Sequence, residues 1–379
     1  MILGLKPPPD RVVRPALAVL AFAVWSVFAA VHAHVKPADF YVFWDAARHT
    51  GAPYDPALIT RLEAQLHITG AWPFVYPPTF LLLVWPFAQL PLALAYPLWT
   101  GVSAALFVYA AAHLVKPSWA TLALFIAPPV VLAISPGQTS LLVGAAMIGG
   151  WLMRDKRPAL AGVLFALAAC IKPQAMILAP VVLWGHWRLV RWAVIAGLAL
   201  VLASFVFGPG LWLQWPHALA DFSHVTPATD RVNPSALAAS PWLAAALALV
   251  GIYIAWTWRD LTGLVAGALC LTPYAHQYDL TPLAPLALTW LIERGRHGWG
   301  RAICGAALLA GLVSAPATGL LFVIGLAAAG SPLHRFAVPL PQRGRRIRVR
   351  RRDSESPPPL GEEDREAVEG AAATAIYDA

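Results

Sequence analysis

The chain repeats one pattern that few folds can absorb. Apolar runs of near membrane-spanning length alternate with short loops that carry lysine and arginine. "PALAVLAFAVWSVFAAV" from Pro15 to Val31 is the first run, and "AVIAGLALVLASFVFG" from Ala193 to Gly208 is another. A backbone in lipid must satisfy its own hydrogen bonds, so such runs fold as helices. Each full crossing takes about 20 residues. Composition agrees: 59% of residues are hydrophobic and 12% charged, with mean hydropathy +0.63. A soluble domain is about half apolar and a quarter charged. The sequence therefore reads as an all-α polytopic membrane protein of about 10–12 transmembrane helices. Its 17 tryptophans suit interfacial belts.

The net charge of +8 is not a nucleic-acid signal. Seven arginines crowd into "RGRRIRVRRR", Arg343 to Arg352, and most other cations lie in short loops. The positive-inside rule produces that distribution. Cys170, Cys270 and Cys304 sit in apolar segments at no metal or redox spacing, and read as small buried hydrophobes. The N-terminus has the basic start and apolar run of a signal peptide, but the run is long and more spans follow. An uncleaved first helix is expected.

Lysine and arginine alone set the topology. Lys6, Arg11 and Arg14 put residues 1–14 in the cytoplasm, and "RDKRP", "HWRLVRW", "WRD" and "ERGRHGWGR" are further internal loops. Residues 15–335 then form the membrane domain of an inner (plasma) membrane protein with both termini cytoplasmic. Residues 34–73 make a first external loop with short amphipathic helices such as "PALITRLEAQLHITG", and residues 209–240 make a second. The tail, 336–379, lacks a burying pattern and is expected to be disordered, its arginines facing anionic headgroups. No internal repeat is visible, which weakens an inverted-repeat transporter reading.

This topology sends Asp39, Asp45, Gln138, Lys172, His276 and Asp279 to the same outer face. Six polar residues gathered on one side of a membrane read as one site. Asp39 lies among Phe40, Tyr41, Phe43 and Trp44, where desolvation would raise its basicity towards that of a general base. The same position equally suits a helix N-cap. Asp45, six residues on, points to another face of a helix and could pair with Arg48. Lys172, in "ACIKPQAM", is a cation between apolar pieces. It is either a phosphate partner or a snorkelling lysine. His276 in "YAHQYD" could bind phosphate, orient a base or rest at the interface. Gln138 in "SPGQTS" faces a polar cavity or packs between helices. Tyr76 in "FVYPP" either bonds a substrate or belongs to the aromatic belt, and Tyr41 and Tyr278 join the substrate-contact candidates. No histidine follows His276 at i+3 or i+4, so no metal is expected to be required.

The ordered set "ADFYVFWDAARHTGAPYD", "FVYPPTFLLLVWPFAQLP", "SPGQTSLL", "CIKPQAMILAPVVLWGHWR" and "PYAHQYDL" resembles glycosyltransferase family 87. That group includes polyprenol-phosphate-mannose-dependent α-1,2-mannosyltransferases. The likeness covers roughly residues 15–330; the proline-rich start and arginine-rich tail lie outside it. It implies a GT-C type fold and a hexosyltransferase acting on the extracytoplasmic side. The donor would be a polyprenyl-phosphate sugar, the acceptor a lipid or glycan of the cell envelope, with no separate cofactor. By motif position Asp39 would be the general base of an inverting transfer. The rival reading is a transporter or flippase for a lipid-linked precursor, which would spread its polar residues through the bilayer depth.

Overall fold

The computed structural model describes residues 9–32, 38–66, 73–115, 119–229, 237, 240–257, 259–272, 276–293 and 299–310. The expected tail, 336–379, and the segment 230–236 of the expected second external loop fall outside these residues. Every regular element among the described residues is helical.

Three helices are long and apolar enough to cross a membrane: Asp10–His32, Leu92–Leu114 and Trp187–Phe207. The first, α1 (Asp10–His32), starts ahead of Pro15, its first turn braced by an Arg14–Asp10 ion pair at 3.1 Å. It buries one narrow stripe, Leu17, Ala21, Trp25 and Ala29, spaced at i+4, and packs that stripe on α5 (Leu92–Leu114). Val19, Val27 and Val31 are exposed on its other faces. Such a surface suits lipid, where apolar side chains need no covering. The last of the three comprises α11 (Trp187–Ser204) and a 3-10 extension, and buries only Leu189 and Ser204.

The other apolar helices are shorter. Between α1 and α5 come α2 (Ala38–Arg48), α3 (Pro56–Leu66) and α4 (Pro78–Ala88); α3 is the amphipathic helix expected in the first external loop. Prolines then divide the chain into α6 (Trp119–Ala123), α7 (Pro128–Ile134), α8 (Ser140–Met153), α9 (Pro158–Ile171) and α10 (Ala179–Val182). Proline fits a first helical turn but cannot continue a ladder. Where about 10–12 crossings are expected, the described residues thus hold three of full length and several interrupted pieces.

Within the stretch read as the second external loop, 209–240, lies α12 (Leu211–Thr229). After it come α13 (Pro241–Thr257) and α14 (Leu261–Leu271), then α15 (Ala284–Ile292) and α16 (Trp299–Ala310). Helices α13 and α14 touch at the backbone: a Cβ on Gly251 would lie 2.6 Å from the Gly263 carbonyl oxygen. Asp260 caps α14, its Oδ1 accepting from Thr262 N at 2.9 Å and Thr262 Oγ1 at 2.8 Å.

Candidate active site

Four chain breaks meet at one cavity of about 220 Å³. They are the start of α2, the turn before α8, the 3-10 turn after α9, and the 3-10 helix Gln277–Leu283. Asp39, Tyr76, Gln138, Lys172, His276, Tyr278 and Asp279 line it, with Trp215 and Phe222 of α12 on one wall. Each polar residue sits where a helix starts or stops, the place where backbone and side chain can turn away from apolar neighbours.

The turn before α8 fixes the start of α2. Gly137 has φ +75°, and a Cβ there would fall 2.5 Å from Cβ of Phe40. Only glycine accepts both conditions without strain. Phe40 N donates to Pro136 O at 2.9 Å, and Trp99 Nε1 to Gly137 O at 2.9 Å. Asp39 lies in the first turn of α2. Its Oδ2 accepts from Gln138 Nε2 at 2.9 Å, while Oδ1 takes no hydrogen bond among the described residues. Gln138 Oε1 accepts in turn from Tyr76 Oη at 3.2 Å and Thr139 N at 3.2 Å. Burial pushes the Asp39 carboxyl above the usual range, although the Gln138 bond and the charges of Lys172 and His276 pull the other way.

The second carboxylate is held oppositely. Lys172 Nζ donates to Asp279 Oδ1 at 2.6 Å, and Ser140 Oγ reaches the same oxygen at 3.2 Å. His276 N donates to Oδ2 at 3.0 Å, within a capping box that begins the 3-10 helix. Burial acts to raise Asp279, but the Lys172 charge and these bonds outweigh it and hold the carboxyl below its ordinary range. The Lys172 ammonium also sits 5.0 Å from the centre of the Tyr278 ring, and His276 stacks on that ring at 4.9 Å. The two carboxylates thus share one cavity with their basicities pushed in opposite directions.

Two candidates fall elsewhere. Asp45 does not line this cavity: it faces a small pocket between α2 and α3 and pairs with His49 at 3.3 Å. Its expected partner Arg48 lies instead over the Trp44 ring at 4.6 Å. Tyr41, two residues past Asp39 on the helix, turns into the apolar core and is only 7% exposed. Lys172 does not snorkel: at 8% exposure it is held by Asp279. Asp279 itself was visible in sequence only as one of six polar residues on a face. Gln174 and Trp215 also line the cavity and carried no sequence signal. Among the described residues no group of three or more His, Cys, Asp or Glu converges on a point.

The family model of glycosyltransferase family 87 matches residues 74–276, more than half of the chain. Asp39 precedes that stretch and Tyr278 and Asp279 follow it, yet all three share the cavity with its residues. No curated protein matches the chain, and no solved structure does.

Proposed function

Because this chain belongs to glycosyltransferase family 87, we propose that it moves a hexose, mannose first among candidates, from a polyprenyl-phosphate carrier to a cell-envelope acceptor. The reading places the reaction at the extracytoplasmic face of the plasma membrane, in a GT-C type fold of about 10–12 crossings. The observation that carries it is the unequal carboxylate pair. Asp39 is desolvated with Oδ1 open, and Asp279 is already committed to Lys172.

Asp39 takes the proton of an acceptor hydroxyl as that oxygen attacks the anomeric carbon. The bond from that carbon to the phosphate oxygen breaks, and polyprenyl phosphate leaves with the electron pair. A single displacement inverts the anomeric centre and needs only one base. Asp279 is the poorer base because its oxygens accept from Lys172, Ser140 and the His276 amide. Charge builds on the departing phosphate, and fixed cations near it lower the barrier. In this reading Lys172 supplies the cation and His276 lines the same cavity as a further phosphate contact. The lysine gains a second anionic partner when the donor binds, without leaving Asp279. No metal is assigned a role.

The cavity, about 220 Å³, is smaller than the roughly 300–1,000 Å³ of sites that enclose a drug-sized ligand. It suits the reacting end of a long substrate, sugar and phosphate, with the isoprenoid chain lying outside in lipid. The test is transfer by purified protein in lipid, supplied with polyprenyl-phosphate hexoses and extracted envelope acceptors. Asp39→Asn should lower turnover by about 100-fold or more, as loss of a general base does. Turnover that survives both Asp39→Asn and Asp39→Ala would remove Asp39 as the base.

A further inference from the structure

We propose that Gln138, locked in one orientation by Tyr76 and the Thr139 amide, is the positioning residue that aims Asp39, holding Oδ2 so that Oδ1 alone faces the acceptor. The inference rests on the reading of Asp39 as base. It assigns Gln138 and Tyr76 to the base, whereas the sequence alone offered Tyr76 as a substrate contact and Gln138 as a cavity or packing residue.

The orientation of the glutamine amide follows from chemistry. Thr139 N lies 3.2 Å from one end of the amide, and a backbone N–H can only donate. That end must be the carbonyl oxygen. The NH₂ end then faces Asp39, whose ionised carboxylate can only accept, at 2.9 Å. Tyr76 Oη supplies a second donor to the carbonyl at 3.2 Å, and lies 3.3 Å from Thr139 Oγ1. Burial, followed by the nearby Asp39 and Asp279 charges, pushes the Tyr76 phenol up, so it stays a neutral donor. Thr139 hydroxyl to Tyr76, Tyr76 to Gln138 and Gln138 to Asp39 thus form one chain in which each donor polarises the next.

The chain hangs from a rigid frame. Gln138 N donates to Ala133 O at 2.8 Å, the left-handed Gly137 precedes it, and Tyr96 Oη donates to Ser135 O at 2.9 Å. Gln138 is 5% exposed. It cannot swing to follow a substrate, but it can hold a carboxylate at a fixed angle. Holding one oxygen also leaves one lone-pair direction for the proton in flight, which favours a near-attack geometry.

The other charged or titratable groups facing Asp39 are Lys172 and His276, with Tyr76 beside Gln138 and Asp279 across the cavity. Substitution at Gln138 leaves Lys172, His276 and Asp279 in place. Gln138→Met also takes an acceptor from Tyr76, and Tyr76→Phe, which removes that donor alone, separates this effect from loss of the NH₂ that Asp39 accepts. A charge-assisted donor stabilises the ionised carboxylate, so its loss moves the acid limb of kcat/KM upward, by about one to two pH units.

The experiment compares kcat/KM against pH for wild type, Gln138→Met, Gln138→Glu, Tyr76→Phe and Asp39→Asn, in lipid with a polyprenyl-phosphate hexose. Methionine and glutamate keep the volume. Gln138→Met should raise the acid limb and lower kcat about tenfold or more, with KM for the donor unchanged. Gln138→Glu should raise the limb further, because two facing carboxyls share a proton. Tyr76→Phe should move it less, since Thr139 N still holds the amide. Unfolding midpoints of the variants report folding separately. Variants that lose activity equally at every pH, with the limb unmoved, would overturn the proposal. An active Asp39→Asn would sink the base assignment instead, a different result that the same plates reveal.

Discussion

Two buried aspartates each stand at the start of a helix and do different work. Asp260 caps the N-terminus of α14, whereas Thr272, just past its C-terminus, lines the cavity that holds Asp39 and Asp279. Both Asp260 and Asp39 are driven upward chiefly by burial. Burial therefore does not distinguish them. Their partners do. Oδ1 of Asp260 is used twice by Thr262, two residues away, and Arg154 and Arg301 lie near enough to moderate its charge. Asp39 is held by a side chain 99 residues away, and its other oxygen opens on a cavity. A carboxylate whose bonds are local serves the helix it starts. One whose bonds span the chain serves a site.

The contrast breaks hardest at the ion pair. Asp279→Asn leaves Lys172 as a buried cation without its counter-charge, which costs about 3–5 kcal/mol. Thermal unfolding in lipid or detergent should show it directly, with transfer activity lost as well. The sign with pH is fixed by the lowered Asp279 carboxyl. Its stabilisation is complete above the unfolded value of about 4 and disappears as pH falls through the folded value. In Asp279→Asn that acid-dependent loss should be missing.

Asp39→Asn should do the reverse: large in activity, small and favourable in stability. Its folded carboxyl is held high, so ionisation works against folding as pH rises from about 4 through the folded value. Near neutral pH the asparagine variant should therefore unfold at the same temperature or higher, while transfer falls by about 100-fold or more. A drop in unfolding temperature would mean that the ionised Asp39 supports the fold, against the upward push of burial. Gly137→Ala is next. Its left-handed backbone and the contact with Phe40 make the change cost about 1–3 kcal/mol. It should also reduce kcat by displacing α2 and Asp39.

Much of this was legible in the sequence, for a physical reason. Loop lysines and arginines gave an expected side for each helix end, and that expectation put Asp39, Gln138, Lys172, His276 and Asp279 together without any distance. The structure gathers these five in one cavity. Asp45 lies on another face of α2, as its six-residue spacing from Asp39 required, and Tyr41, counted among the substrate contacts, turns into the core because α2 packs that face. The Lys172–Asp279 pair spans 107 residues and the Tyr76–Gln138 bond 62, separations that no local pattern encodes. Helix α12 was hidden by Pro216 and Pro227 within it and by its mixed polar and apolar composition.

The smallest effect tests the other end of the comparison. Asp260→Asn keeps an oxygen for Thr262, and asparagine caps a helix about as well as aspartate. It also removes a charge that burial disfavours. Its stability should change by less than about 1 kcal/mol. Asp260→Ala removes the cap as well and should cost about 1–2 kcal/mol. Neither should move the acid limb of the activity profile, because Asp260 is not among the charges that act on Asp39. The measurement is the pH profile of transfer beside the unfolding midpoint for both variants. If Asp260→Asn shifts the acid limb as Gln138→Met should, then α14 transmits charge changes from one end to the other, and the two carboxylates are parts of one device.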